Sequence, residues 1–572
     1  MVAEPVAVTS RPADVGLKRE MGLIGAMWAS ETSIIGSGWL FGSYFAALAL
    51  GPSAIWAWCI AGAAVIILAL VHAELGGMFP VAGGTARFPH LAFGSGAGIS
   101  FGFFSWLQAV AVAPIECYAV MQYGQYWFNA TSFRIFDPST DDVTHWGFVL
   151  TIVLMAIFTA VNFLAMRIFA NVNNVITYWK VAIPVLAIIV LFFKFHPHNF
   201  SLDGGLNPSG AGGPGWKELF YQIPIAGIVF AYLGFEQADQ LAGEVKNPQK
   251  NLPRAIVGAI LIGTAIYVLL QVVYVGSMNP TVLAQHGGFF GLACPSTGAC
   301  NVTIGNIVGG PFAAVAGLAG LAWLANILRI DAFISPYGTG QMYLTSTSRV
   351  GYGAARNRYF PSIFTKTDKN GVPWVSLIVG FIFGLVFLLP FPSWHSLVGL
   401  VTSASVLMYA GAPLAMGAFR KELPDANRPY KMRGAVFFAP FAFIIANLII
   451  YWSGFEILWK LGVAIVLGYL LILMHFSDNP HAPKINWQKS IWIGAYLLGM
   501  GIISWMGQFG PENTGRIPFW YDMLVVAIFS LVIYYWALYS SNSREEIEEA
   551  IAQQAGGAED WEAHVTEGTE LA

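Results

Sequence analysis

Long apolar runs separated by short polar loops make up most of this chain. Fourteen runs of about 20 residues, the length that crosses a bilayer as a helix, lie near residues 22–49, 54–78, 97–123, 146–166, 174–195, 219–238, 255–276, 312–337, 372–390, 395–418, 436–457, 461–476, 490–507 and 518–540. Backbone N–H and C=O groups in lipid must be hydrogen-bonded internally, which restricts such a chain to helices or closed barrels. These runs predict an all-α polytopic membrane protein with about fourteen transmembrane helices.

Composition supports this class and excludes others. Charged residues make up 10% of the 572 positions and hydrophobic residues 56%, whereas soluble proteins carry about 25% charged residues. A net charge of −3 gives no electrostatic basis for a nucleic-acid partner. The four cysteines form no CxxC pair, and we find no zinc-ligand spacing and no nucleophile with a base. We therefore expect no metal, no cofactor and no enzymatic activity.

Basic residues fall mainly on alternate loops. One set of loops includes the basic segments 1–20 and 246–254, and the opposite set carries only Arg134, Lys194, Lys217, Lys460 and Arg516. Loops rich in lysine and arginine face the cytoplasm, so we expect both termini to be cytoplasmic and the number of spans to be even. Segment 1–20 is then a cytoplasmic tail, and so is the acidic segment 541–572.

The first apolar run is too long for a single span. A continuous helix of nearly 30 residues would measure about 45 Å, against a hydrocarbon core of about 30 Å. In its middle Gly36 and Gly38 flank Ser37, and glycines favour local unwinding. Unwound backbone at membrane depth must be buried in protein or line a cavity, and free amides at a half-helix start bind carboxylates. A close helix–helix contact through small residues is the alternative.

The sixth run contains a second candidate break. Gly234 interrupts its apolar pattern, and Glu236 and Asp239 follow directly. Carboxylates inside a membrane helix are costly and usually functional. The first and sixth runs open two successive blocks of five runs, and breaks at corresponding positions of two halves point to the binding site of a transporter.

Longer motifs extend this pattern into a family resemblance. Segment 227–256, segment 73–85 (AELGGMFPVAGGT), segment 348–374 and Arg428-Pro429-Tyr430 resemble motifs of the amino acid–polyamine–organocation permeases. The resemblance implies a LeuT-type 5+5 inverted repeat with broken first and sixth helices. The implied units are a first repeat at 21–197, a second repeat at 218–420 and four additional transmembrane helices at 436–540.

The same resemblance implies a substrate site in the two breaks. The matched positions are the carboxylate contacts Gly36, Ser37 and Gly38, the Ile34 carbonyl that receives the substrate amino group, and the unwound carbonyls of Phe230, Ala231 and Leu233. Phe230 also matches an aromatic gate over bound substrate, and an ordinary core phenylalanine is its alternative.

Two ionisable residues are predicted to couple transport to protons. Lys180, early in the fifth run, matches a lysine that stands in proton-coupled and sodium-independent relatives where sodium-coupled relatives bind an ion. Snorkelling of Lys180 to the cytoplasmic surface is the alternative. Glu236 matches an acidic position below the pocket, and a structural partner of a buried donor is its alternative.

Several other polar residues lie within or between the spans. Glu116 and His72 are candidate proton relays or packed hydrogen-bonding residues. Arg329 and Asp331 are expected to compensate each other, and with segment 334–339 they are similar to a subgroup that includes acidic-amino-acid–proton symporters. Cys294 and Cys300 lie in the longest outer loop, where an oxidising exterior permits a disulfide. Two unpaired surface thiols are the alternative.

Together these features predict a multi-pass amino acid permease of the plasma membrane, most simply a bacterial inner membrane. We expect it to import an amino acid by proton symport with alternating access. An amino acid or polyamine exchanger without proton coupling is the alternative. The amino acid itself and the oligomeric state cannot be read from the sequence.

Overall fold

The computed structural model is almost entirely helical. It describes residues 21–80, 84–128, 133–163, 166–295, 300–356, 358–368, 370–478, 485–511 and 515–552. The predicted tail at 1–20 and the part of the second tail beyond residue 552 lie outside these ranges. The predicted all-α class is confirmed, since the only strands within these ranges are two residues each, β1 (Phe136–Asp137) and β2 (Asp142–Val143), paired antiparallel.

The helices follow one another with short connections. Those of the first half are α1 (Leu23–Ile34), α2 (Gly38–Leu50), α3 (Ala54–Met78), α4 (Gly84–Phe93), α5 (Ser95–Phe128), α6 (His145–Val161), α7 (Met166–Phe192), α8 (Gly215–Ile225), α9 (Ile228–Ala231), α10 (Gln237–Gln240) and α11 (Pro248–Ser277). Those of the second half are α12 (Pro280–His286), α13 (Val302–Gly309), α14 (Pro311–Leu318), α15 (Ala322–Arg356), α16 (Trp374–Leu388), α17 (Trp394–Tyr409), α18 (Gly411–Glu422), α19 (Ala435–Trp452), α20 (Phe455–Asp478), α21 (Trp487–Met506) and α22 (Phe519–Tyr539). Short 3-10 helices lie at Gly51–Ser53, Pro197–Ser201, Ala242–Glu244, Phe289–Gly291 and Ser362–Thr365.

Membrane-crossing helices are abundant. By length and composition, eight helical segments of the described chain can cross a bilayer, and His145–Val161 and Trp374–Leu388 are apolar but shorter. Large apolar side chains of α20, α21 and α22 are exposed along their length, as lipid-facing helices require. The molecule is therefore a multi-pass membrane protein.

The first apolar run is broken where the glycines predicted it. Helix α1 ends at Ile34 and α2 begins at Gly38, and the intervening residues are bent and fully buried. The amide of Gly36 donates to the Ile34 carbonyl at 3.0 Å, a local turn in place of the helical ladder. A side chain at Gly36 would reach within 2.7 Å of a Glu116 oxygen, so glycine allows the break to sit against α5.

The sixth run is broken more extensively. Gly227 and Gly234 have φ angles of +82° and +113°, which few residues other than glycine adopt. Between the two glycines only α9 remains helical, and after Gly234 come α10, which like α9 has four residues, and the 3-10 helix Ala242–Glu244. A side chain at Gly234 would meet Ser33 of α1 at 2.6 Å. The two broken regions therefore contact each other closely.

Helices α5 and α15 form the centre against which both breaks pack. Helix α5 is 34 residues long and buried along nearly all of it, and α15 runs for 35 residues beside it.

Away from this centre, Cys294 and Cys300 form the predicted disulfide, with Cα atoms 5.0 Å apart.

Candidate functional site

The backbone of the first break holds a carboxylate that belongs to the protein itself. The Ser37 amide donates to Oε2 of Glu116 at 2.9 Å, and both residues are fully buried. Ser37 stands directly before the first turn of α2, where a helix leaves amides unpaired and carries partial positive charge. The Ser37 amide is therefore able to bind a carboxylate.

Gly38 brings the two broken regions into direct contact. A Cβ atom at Gly38 would lie 2.7 Å from the Cα atom of Ala231, so no larger residue fits without separating α2 from α9. Leu233 is buried beside this contact, and its amide donates to the Phe230 carbonyl at 3.1 Å. The carbonyl of Ile34, predicted to receive a substrate amino group, accepts from the Tyr267 hydroxyl at 2.8 Å.

Lys180 lies inside the protein and does not snorkel. Its side chain is fully buried, and Nζ donates to the Thr32 carbonyl at 2.5 Å and to the Thr339 hydroxyl at 2.8 Å. The Thr339 hydroxyl donates to the same carbonyl at 2.9 Å. Because Thr32 is in the last turn of α1, the ammonium meets the negative end of that helix dipole and joins α7, α1 and α15.

Three buried carboxylates lie within electrostatic range of this lysine. Glu31, Glu116 and Asp331 are fully buried and interact electrostatically with Lys180. Within the described part of the chain, neither oxygen of Glu31 has a hydrogen-bond partner. One ammonium cannot balance three charged carboxylates, and a buried unpaired charge is costly. The cluster therefore has the composition of a proton-binding site.

Glu236 is held by the second break. Its Oε2 accepts from the Gly234 amide at 3.0 Å and from the Tyr409 hydroxyl at 2.5 Å, and Oε1 accepts from Gln237 at 3.1 Å. These bonds match the alternative in which Glu236 is a satisfied structural partner, and they also fix the unwound backbone to α17. Asp239, three residues further on, is fully buried, and neither of its oxygens has a hydrogen-bond partner among the residues that the structure describes.

An aromatic cap covers the site on the side of α17. We use this name for Trp394 and the three rings that contact it, those of Phe41, Phe45 and Phe230, at centroid distances of 5.0, 5.8 and 5.8 Å respectively. The Trp394 indole N–H also donates to the Ser37 hydroxyl at 2.8 Å. Phe230 of the second break thus contacts the same tryptophan that donates to Ser37 of the first break.

Sequence reasoning missed Trp394 and Glu31. No short-range signal marks Trp394, because its partner Ser37 is 357 residues away. Glu31 was detectable, since it is a carboxylate within the first apolar run, three residues before Ile34. Carboxylates inside a membrane helix are costly and usually functional, which is the reason that Glu236 was selected and applies equally to Glu31.

Two other expectations about polar residues have definite outcomes. The expected Arg329–Asp331 pair is wrong: Asp331 accepts from Trp179 at 2.8 Å and from Ser335 at 2.9 Å, whereas Arg329 stacks on Tyr126. Residues two apart on a helix point in nearly opposite directions, which explains the difference. His72 bonds the Leu68 carbonyl at 2.9 Å and is packed against the rings of Phe235 and Tyr409.

Comparison with known proteins gives a consistent family. A family model described as amino acid permease matches residues 21–459. The chain is 35% identical over 540 residues to an aspartate-proton symporter of Bacillus subtilis, covering 93% of this chain and 98% of the relative. It is 34% identical over 541 residues to the glutamate/serine transporter AimA of the same organism, covering 93% and 96%. A gamma-aminobutyric acid permease of that organism is 26% identical over 443 residues, covering 74% and 85%.

Proposed function

The chain belongs to the amino acid permease family, and on that premise we propose that it imports an amino acid by proton symport with alternating access. The observation that carries the proposal is the hydrogen bond between the Ser37 amide and Glu116. A substrate carboxylate that takes this amide would come close to the Glu116 carboxylate. Two carboxylates sharing a site cannot both remain charged without a large penalty. Binding of the substrate therefore favours uptake of a proton by Glu116, and this couples substrate transport to proton transport.

Lys180 extends this coupling to the helices that must move. It is hydrogen-bonded to the end of α1 and interacts with Glu116. A change in the charge of Glu116 alters the attraction that holds the ammonium between α1, α7 and α15. We assign Lys180 and Glu116 the coupling role, with Glu31 and Asp331 as further members of the proton-binding cluster. Glu236 is assigned to the cytoplasmic side of the site, where it ties the second break to α17.

The proposed substrate contacts are the predicted ones. Gly36, Ser37 and Gly38 would receive the carboxylate, and the carbonyls of Ile34, Phe230, Ala231 and Leu233 would receive the amino group. The aromatic cap would close over the substrate, with Phe230 as the gate. The close contact of Gly38 with Ala231 supports a single site formed by both breaks.

For the architecture, we propose the LeuT-type 5+5 repeat, with repeats at 21–197 and 218–420, four additional helices at 436–540 and about fourteen spans in all. Breaks in the first and sixth apolar runs support it.

We place the protein in a bacterial inner membrane with both termini cytoplasmic. Thiol labelling of intact cells tests this orientation, because Cys294 and Cys300 should react from outside only after reduction. Labelling from the cytoplasmic side alone would contradict it.

For the substrate we propose an acidic or small polar amino acid, which is supported by the aspartate, glutamate and serine named for the two relatives. The experiment is uptake of labelled L-aspartate, L-glutamate and L-serine into proteoliposomes with and without an acid-outside gradient. Proton-driven accumulation of at least one of them is expected. Counterflow without any response to pH would instead support an amino acid exchanger, and absence of all transport would contradict the proposal.

A further inference from the structure

We propose that Arg329 forms an external capture site for the carboxylate of an anionic amino acid before the substrate reaches the broken helices. This inference rests on the proposed function and adds a second, outer site to it. Arg329 lies about 10 Å along α15 from its first residue, at the 1.5 Å rise of a helix.

Arg329 lacks the acidic partner expected for a half-buried cation. Among the described residues, no carboxylate forms an ion pair with it. Its NH1 donates to Asn326 at 2.9 Å, and its guanidinium carbon lies 3.5 Å from the centre of the Tyr126 ring. A guanidinium has five N–H donors along its edge. Stacking on an aromatic face leaves that edge free, so most of its donors remain available to a carboxylate.

The arginine lines a small, mainly apolar cavity at the outer end of α5. The cavity has a volume of about 30 Å³, and its lining includes Tyr123, Tyr126, Asn306 and Arg329. A space of this size holds one or two water molecules. The segment from α13 to α14 forms the opposite wall, and it follows the disulfide-bonded loop at Cys294–Cys300. The cavity therefore lies on the proposed extracellular side.

Tyr123 connects this cavity to the carboxylate site. Its hydroxyl donates to the Leu40 carbonyl of α2 at 3.4 Å, and its ring lies 5.2 Å from that of Phe41 in the aromatic cap. Leu40 is three residues from Ser37. An outward movement of α2 would release Tyr123 and widen the cavity toward the Ser37 amide. A carboxylate bound to Arg329 would then lie on the way to that amide.

The chemistry selects anionic substrates. A guanidinium binds a carboxylate through paired, charge-assisted hydrogen bonds. Aspartate and glutamate carry a net negative charge at neutral pH, whereas serine carries none. Unpaired positive charge at the mouth of a low-dielectric site also raises the rate of encounter with anions, and the effect weakens as salt is added.

The test is kinetic analysis of Arg329→Gln in proteoliposomes with aspartate, glutamate and serine. We expect KM for the two acidic substrates to rise about tenfold, the effect of losing one charge-assisted contact, with kcat retained. The KM for serine should stay the same, which also shows that the variant is folded. Arg329→Lys should recover part of the loss, because it restores charge without the bidentate geometry.

Arg516→Gln is the matched control. Arg516 is an exposed arginine between α21 and α22 that also stands over an aromatic ring, 5.1 Å from the centre of Trp505. The Arg516→Gln substitution should leave the KM values for aspartate, glutamate and serine unchanged. Raising the ionic strength should weaken uptake of acidic substrates by the wild type and by Arg516→Gln, and affect Arg329→Gln much less.

The outcomes separate this inference from the proposed function. An unchanged KM for acidic substrates in Arg329→Gln, or an equal rise for serine, would overturn the capture site while leaving symport intact. Wild-type uptake of serine alone would also overturn it. If the wild type transports only acidic substrates, serine cannot serve as the reference substrate, and the test is the salt dependence of uptake. Weaker salt dependence in Arg329→Gln than in the wild type would support the capture site, and equal salt dependence in both proteins would refute it. Failure of the wild type to transport any of the three contradicts the proposed function itself.

Discussion

The Ser37 amide and the Glu116 carboxylate, 79 residues apart in sequence, share a hydrogen bond of 2.9 Å inside the membrane. A carboxylate of the protein thus occupies the amide that we propose for the substrate. Glu116→Gln should keep an oxygen acceptor for the amide and lose the proton-binding group. We expect retained substrate binding and counterflow but loss of accumulation driven by a proton gradient. Glu456→Gln, an exposed position in α20, should behave as the wild type. Full proton-driven accumulation by Glu116→Gln would remove Glu116 from the coupling mechanism.

Substitution of Gly38 tests the contact between the two breaks. In Gly38→Ala the added methyl group would lie 2.7 Å from the Ala231 Cα atom, and overpacking of this kind costs about 1–3 kcal/mol. Substrate affinity, measured by ligand-induced thermal stabilisation, should therefore fall by roughly tenfold or more. Gly317→Ala is the control, because nothing lies within 4 Å of the added atom. Equal affinities in both variants would show that the Gly38 contact does not shape the site.

Truncation of Phe230 tests the gate. Phe230→Ala removes the ring that contacts Trp394, so closure over the substrate should suffer more than initial binding. We expect uptake to fall strongly while equilibrium affinity changes little. Phe437→Ala, on an exposed apolar surface, controls for loss of an aromatic ring. Uptake equal to that of the wild type would leave Phe230 with a packing role only.

The pH dependence of stability should reveal Asp141, which lies between β1 and β2 outside the membrane-spanning helices. Burial, followed by the charge of Asp142, raises the pKa of Asp141 from 3.8 to about 7, and a hydrogen bond from Ser393 opposes the rise. The native state therefore holds this proton more tightly than the unfolded state. The stability from this group is complete below about pH 4 and is lost as the pH rises through about 7.

Thermal unfolding of the purified protein measures this effect. Its stability should decrease between about pH 4 and 7 by an increment that Asp141→Asn abolishes. The increment should be modest, because the Asp141 side chain is 30% exposed and only 4.0 Å from His395. Asp142→Asn should shift the decrease to lower pH by removing the neighbouring charge. An identical pH profile in Asp141→Asn and the wild type would show that Asp141 titrates normally.

Local sequence patterns predicted the breaks because a single residue type causes each of them. Glycines at 36 and 38 permit the bend of the first run, and Gly234 adopts a φ of +113° that few other residues tolerate. Lys180 was identified through the family resemblance, because a charge early in an apolar run is by itself equally compatible with snorkelling. Its partners were not predictable, since Thr32 and Thr339 lie 148 and 159 residues away.

The failures share one physical origin, which is that side-chain direction depends on tertiary packing. Adjacent opposite charges at Arg329 and Asp331 suggested a pair, but the helix points them to different neighbours. Trp394 contacts Ser37 only because α17 folds back onto the first break. Spacing in the sequence carries no information on either contact.

The central claim is that a buried lysine couples amino acid uptake to protons. Its most direct test is uptake into proteoliposomes with imposed proton or sodium gradients, comparing the wild type, Lys180→Ala and the exposed control Lys194→Ala. The wild type and the control should accumulate substrate with an acid exterior and ignore sodium. Lys180→Ala should lose accumulation, and any remaining exchange should no longer respond to pH. Sodium-driven uptake by the wild type, or full proton-driven accumulation by Lys180→Ala, would contradict the claim.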